Sequence, residues 1–104
     1  MVNQRVLSAK TGIKQKVISE IRNLAEHHGI NKIVLFGSRA RGAFHDKSDI
    51  DLAVSGGNVG QFKLAVEEET STLLKFDVVE IEKSASCELL AEIEKDGLVL
   101  YEKV

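Results

Sequence analysis

Proline and tryptophan are missing from this chain of 104 residues, cysteine and methionine occur once each, and aromatic residues make up only 5% of it. Without proline, glycine is left to mark the breaks between elements. The lone Cys87 excludes an internal disulfide framework and a multi-cysteine zinc site, and it suits a reducing compartment. No apolar run approaches the roughly 20 residues that span a bilayer. The opening Met-Val-Asn-Gln-Arg-Val-Leu-Ser has no apolar core of the kind a signal peptide needs. Neither sign of charge dominates, since 14 Lys and Arg against 16 Asp and Glu leave a net charge of −2. That balance excludes a strongly basic nucleic-acid coat and an acidic tail. The expectation is a cytoplasmic protein with no membrane contact and no direct nucleic-acid binding.

What is present is ordinary globular material: 43% apolar and 29% charged residues. The length fits one domain over residues 1–104, with room for a nucleotide and little else. Residues 1–10 carry no clear period, and no element is assigned to them. From Thr11 to His28, Ile13, Val17, Ile18, Ile21, Leu24 and Ala25 recur at helical spacing, with Gly29 as the cap. Lys32–Phe36 is a β-branched and aromatic run closed by Gly37, which predicts a buried strand. Gly37–Gly42 fits one helical turn, followed by a polar turn at His45–Lys47. Asp49–Val54 predicts a second strand, Gln61–Lys75 a helix and Phe76–Ile81 a third strand. Ser84–Lys95 predicts a helix capped by Ser84 or Ser86, with Leu89, Leu90 and Ile93 inward. Leu98–Tyr101 predicts a closing edge strand. This order describes an α/β sandwich with a small mixed sheet and helices packed against it.

The chemistry concentrates in Val34-Leu35-Phe36-Gly37-Ser38-Arg39-Ala40-Arg41-Gly42 and in Ser48-Asp49-Ile50-Asp51-Leu52. Side chains alternate along a strand, so Asp49 and Asp51 project together while Ile50, Leu52 and Val54 project the other way. Two carboxylates held side by side repel and lose hydration. A divalent cation relieves both costs, and Mg²⁺ is commonly held by one or two carboxylates plus substrate phosphates. Gly37, directly after a strand, permits a tight turn, and a helical turn starting there offers free N–H groups to phosphate. Ser38 adds a hydroxyl. Arg41, three residues beyond Ser38, shares its side of the turn, which favours Arg41 over Arg39 as the phosphate contact. Asp77, a charge within the apolar run Phe76–Ile81, is the candidate third carboxylate of a two-metal site. Glu80 and Glu82 lie nearer the end of that run and are more easily solvated. Phosphate donors on one loop and carboxylates on the next strand describe metal-assisted phosphoryl or nucleotidyl transfer.

Gly37-Ser38, ten residues, then Asp49-Ile50-Asp51 resembles the G-S-x10-D-x-D signature of the DNA-polymerase-β-like nucleotidyltransferases. The short chain resembles the minimal nucleotidyltransferases of prokaryotes, the antitoxin half of HEPN–nucleotidyltransferase toxin–antitoxin pairs. Phe76-Asp77-Val78-Val79 and Gly97-Leu98-Val99-Leu100-Tyr101 carry the likeness across residues 13–101. The resemblance implies that Asp49 and Asp51 hold Mg²⁺, that Asp77 completes the triad, and that Gly37 and Ser38 bind the triphosphate of ATP. It implies transfer of AMP to an acceptor with release of pyrophosphate. In related type VII-like pairs the acceptor is a tyrosine of the partner HEPN toxin. The helical acceptor-binding domain of larger relatives has no counterpart here, so the acceptor is expected from outside.

Other functional classes compete for the same residues. A P-loop fails because Ala43-Phe44, not Lys-Ser or Lys-Thr, follows Gly37-x4-Gly42. An EF-hand starting at Asp46 fails because a ligand position falls on Ile50. Two alternatives remain in other classes: a binding module that masks its partner without catalysis, and adenylyl transfer to a small molecule. Arg39 and Arg41 also fit a solvated basic patch. His27 and His28 fit the end of a helix, where a cation complements the dipole. His45 fits an exposed turn, Cys87 an apolar filler, and Glu67-Glu68-Glu69 a solvated helix face.

Overall fold

The structure, a computed structural model, describes residues 3–84 and 86–103. Among the described residues, six helices and four strands follow one another as α1 (Gln4–Thr11), α2 (Gln15–His27), β1 (Lys32–Phe36), α3 (Ser38–Arg41), β2 (Ile50–Ser55), α4 (Val59–Glu69), β3 (Phe76–Glu80), α5 (Ile81–Ser84), α6 (Cys87–Asp96) and β4 (Leu98–Glu102). The strands form one sheet in the order β3-β2-β1-β4. β1 runs antiparallel to β2 and β4, whereas β2 and β3 run parallel, joined through the crossover helix α4. The expected mixed sheet is therefore present.

Alternation along each strand divides the apolar residues between two layers. Ile33, Leu35, Ile50, Leu52 and Val54 enter the main core, beside Leu7, Val17, Ile18 and Ile21 of α1 and α2 and Phe62 and Val66 of α4. Each such side chain contributes about 1.5–3 kcal/mol relative to leaving it in water. Val34, Phe36 and Ala53 form a smaller cluster on the opposite face, against which Leu89 and Ile93 of α6 pack. A bulge in β4 opposite Ile33 and Val34 shifts the register, so Leu100 and Tyr101 both pack on the main core.

Several boundaries differ from the sequence expectation, each for a tertiary reason. α1 begins within the segment 1–10, at Gln4; Met1 and Val2 lie outside the described residues, as do Ala85 and Val104. The predicted helix from Thr11 begins instead at Gln15, because the chain breaks at Gly12, where φ is 69°. The Gly12 N–H donates to Ser8 O, and a Cβ there would collide with the ring of Phe44. The helix expected to reach Lys75 stops at Glu69. The Thr70 hydroxyl donates to Val66 O at 2.6 Å, and Ser71 donates through its N–H and hydroxyl to Glu20 of α2 at 2.9 and 2.8 Å. That capture turns the chain out of α4 and leaves Leu73 fully exposed.

The last helix is also thinner than expected. Ser86 caps it, accepting the Leu89 N–H at 3.1 Å; the side chain of Ser84 lies outside the described residues. Leu89 and Ile93 point inward, but Leu90 is exposed, because α6 covers only part of its sheet face. Cys87 opens α6 and is exposed, so it fills no apolar gap.

Candidate functional site

β1 ends at Phe36, and Gly37 turns the chain at φ 77° into the four-residue helix α3. Gly37 is buried, and a Cβ at this position would collide with Oδ2 of Asp51. Only glycine lets the loop approach the carboxylate this closely without strain. Backbone bonding in the turn resumes with Arg41 N donating to Gly37 O at 3.2 Å and Ala43 N donating to Ser38 O at 3.0 Å. The earlier N–H groups of a helical turn have no partner within it, as at any helix start. Ser38, half-buried, stands at that start.

Asp51 is the centre of the charge cluster. It lies on β2 directly opposite Phe36 of β1 and directly opposite Asp77 of β3. Cross-strand partners share a face, so Asp51 and Asp77 stand on the sheet face carrying Val34, Phe36 and Ala53. Asp49 precedes β2 by one residue instead of belonging to it, and it is exposed. Its charge nonetheless reaches Asp51. Burial first, then the charges of Asp77, Asp49 and Glu92, push the Asp51 carboxyl up from 3.8 to about 6, against the opposing pull of Arg41. The sheet thus sets Asp51 opposite Asp77 and next to Gly37, with Asp49 and Arg41 close enough for their charges to act on Asp51.

The crowded row is a poor place for negative charge alone and a good one for a hard cation. Oxygen donors, partial desolvation and mutual repulsion all favour a divalent ion. Among the described residues, no three His, Cys, Asp or Glu side chains are arranged as a ready metal cage. A donor set of this kind fits an ion that takes its remaining ligands from phosphate oxygens and water.

The two candidate arginines separate cleanly. Arg39 is 1% exposed, and its guanidinium donates to Thr11 O at 2.9 Å, Ser48 O at 3.0 Å and Asp46 O at 3.3 Å. Its charge also lies 5.1 Å from the Phe44 ring centroid. Arg39 is neither a solvated patch nor a free ligand; it ties the end of α1 to the loop before β2. Arg41 is exposed at the end of α3 and pairs with Glu92 of α6 at 3.0 Å.

The remaining candidates hold positions around the site. His27 closes α2 and His28 caps it, their rings edge to face at 5.0 Å. His45 is exposed in its turn, where Nδ1 accepts the Lys47 N–H at 3.3 Å. Glu67, Glu68 and Glu69 are exposed on α4. Glu82 accepts from Gly56 N at 2.8 Å and the Ser55 hydroxyl at 3.2 Å, bracing the end of β2. A cleft of about 500 Å³ lined by Lys14, Arg39, Phe44 and Leu73 shares Leu73 and Leu74 with another of about 460 Å³ that reaches Asp49. Neither is lined by Gly37, Ser38, Asp51 or Asp77. Sequence reasoning missed Glu92, whose spacing reads as one more charge on a helix, 51 residues from its partner Arg41.

Comparison with known proteins identifies the family and the fold. The family described as polymerase beta, nucleotidyltransferase matches residues 10–104. A Methanocaldococcus jannaschii protein that carries the name protein adenylyltransferase is 39% identical over 69 residues, 64% of this chain and 67% of its own length. The crystal structure of a toxin–antitoxin with AMP-PNP superposes with a TM-score of 0.68 at 24% identity, over 83% of this chain and 73% of that one. A variant of the toxin–antitoxin MntA–HpeT superposes at 0.64 with 25% identity, over 82% and 72%. Among the described residues, no helix is long and apolar enough to cross a membrane.

Proposed function

The chain belongs to the polymerase β nucleotidyltransferase family and is a nucleotidyltransferase; from that premise we propose that it transfers AMP from ATP, with Mg²⁺, to a tyrosine of a partner HEPN toxin and so acts as an antitoxin. The observation that carries the site assignment is the cluster at Asp51: one carboxyl pushed up to about 6 by burial and by Asp77 and Asp49, against a glycine with no room for a side chain. Asp49, Asp51 and Asp77 are the residues to hold the cation. When bound, Mg²⁺ supplies charge neutralisation at the phosphates. The N–H groups following Gly37, the Ser38 hydroxyl and the Arg41 guanidinium bind the triphosphate and orient its α-phosphate. The acceptor oxygen attacks the α-phosphorus in line, the bond to the β-phosphate bridging oxygen breaks, and pyrophosphate leaves. The hydroxyl proton passes to solvent.

The choice of ATP and of a toxin partner is supported by the AMP-PNP complex and the MntA–HpeT pair among the structural relatives, and by the relative named as a protein adenylyltransferase. The test is incubation with α-labelled ATP, Mg²⁺ and the product of the neighbouring gene. Label on that protein, lost with Asp49→Asn, is the expected result. No label, or equal label with the Asp49→Asn chain, overturns the reading. A neighbouring helical protein with an R-x4-6-H ribonuclease motif is the partner expected.

A further inference from the structure

Arg41 is held before any nucleotide arrives. Its Nη1 donates to Glu92 Oε1 at 3.0 Å, joining the end of α3 to the middle of α6. Glu92 stands between Leu89 and Ile93, which pack on the sheet face that carries the carboxylates. Those two contacts fix the backbone of α6 and therefore where the Glu92 carboxylate can reach. We propose that Glu92 is a positioning residue that competes with the triphosphate for Arg41 and thereby sets nucleotide affinity. This rests on the reading above in which Arg41 binds phosphate.

α3 starts from Gly37, which lies against Asp51, so the ion pair at the end of α3 stands one helical turn from that carboxylate. An incoming triphosphate meets Glu92 as a like charge and Arg41 as its natural partner. The existing pair is weak enough to exchange: its side chains are 43% and 40% exposed, and water screens such pairs heavily. A guanidinium against phosphate forms parallel charge-assisted bonds, which are stronger than one exposed contact to a carboxylate. Glu92 thus parks Arg41 over the site and keeps an isolated positive charge from drawing in unrelated anions.

The experiment is calorimetric titration of the full chain with AMP-PNP and Mg²⁺, in wild type, Glu92→Gln, Arg41→Gln and the double variant. Glu92→Gln is expected to lower Kd by about two- to fivefold, the range an exposed ion pair provides. In the transfer assay, KM falls by a similar factor while kcat moves less. The gain is expected to vanish in the Arg41→Gln background, because the effect runs through the arginine. Saturable wild-type binding with no gain in Glu92→Gln overturns the role of Glu92 and leaves the nucleotide site standing. A gain that persists without Arg41 overturns it too, since relief of charge at the carboxylates then accounts for it. No saturable binding by the wild type overturns both readings together.

Discussion

The same strands present one face of the sheet to a dense core and the other to a charged opening. Along β2, Ile50, Leu52 and Val54 are fully buried against helices α1, α2 and α4. The residue between the first two, Asp51, looks the other way, where only α5 and α6 offer partial cover. A reversal of surroundings over 3.3 Å of chain is what strand alternation permits. The packed face holds the chain together, and its stability allows the open face to carry unfavourable charge. The carboxylate row is a local cost that the core offsets.

Substitutions on the two faces are therefore expected to act in opposite directions. The largest effect belongs to the packed face: Leu52→Ala leaves a cavity and is expected to cost about 2–5 kcal/mol. Denaturant unfolding measures it as a lower midpoint at an unchanged slope. At the seam between the faces, Gly37→Ala places a side chain at φ 77° and against Asp51. It is expected to cost about 1–3 kcal/mol and to disable transfer as the loop withdraws from the carboxylate. A fully active, equally stable variant would show that the close approach is unnecessary.

On the open face, the metal-free protein is expected to gain stability from Asp51→Asn. Removing a crowded charge worth about 1 kcal/mol raises Tm by about 4–8 °C in a domain of this size. The same change is expected to reduce transfer at least about 100-fold, since cation binding supplies several kcal/mol at the transition state. A drop in Tm would contradict the crowding.

The pH dependence follows from the same group. The folded protein holds the Asp51 proton up to about 6, whereas its unperturbed value is 3.8. Across that window the native state binds more protons than the unfolded one, so stability from this group falls as pH rises from about 4 to about 6. It stays lost above that range. Added Mg²⁺ is expected to reverse the loss at pH 7 and to release protons near pH 6, measurable by calorimetry in two buffers of different ionisation enthalpy. The smallest effect is expected from Glu67→Gln on the exposed face of α4, within about 0.5 kcal/mol in stability and with transfer unchanged.

Much of this arrangement was legible in the residues. Lys32–Phe36 is bounded as expected, because a β-branched run closed by glycine has few other conformations. The pairing of Gly37-Ser38 with Asp49-Ile50-Asp51 singled out the candidate site because its parts lie within fifteen residues of chain. Helix α1 was not legible, since QRVLSAKT buries only Leu7 and Thr11 and lacks an apolar stripe. The stop of α4 was hidden as well: Glu20, on another helix, draws Ser71 away.

By itself, the sequence determined the local facts: which runs form strands, that Asp51 faces away from Leu52, and that a glycine turn follows β1. These depend on backbone sterics and a period of two, which act between neighbours. Only the tertiary structure decided which arginine is buried and which is exposed, that Asp77 stands opposite Asp51, and that Glu92 meets Arg41. Coulomb forces and hydrogen bonds depend on distance through space, and strand pairing sets that distance without regard to separation along the chain.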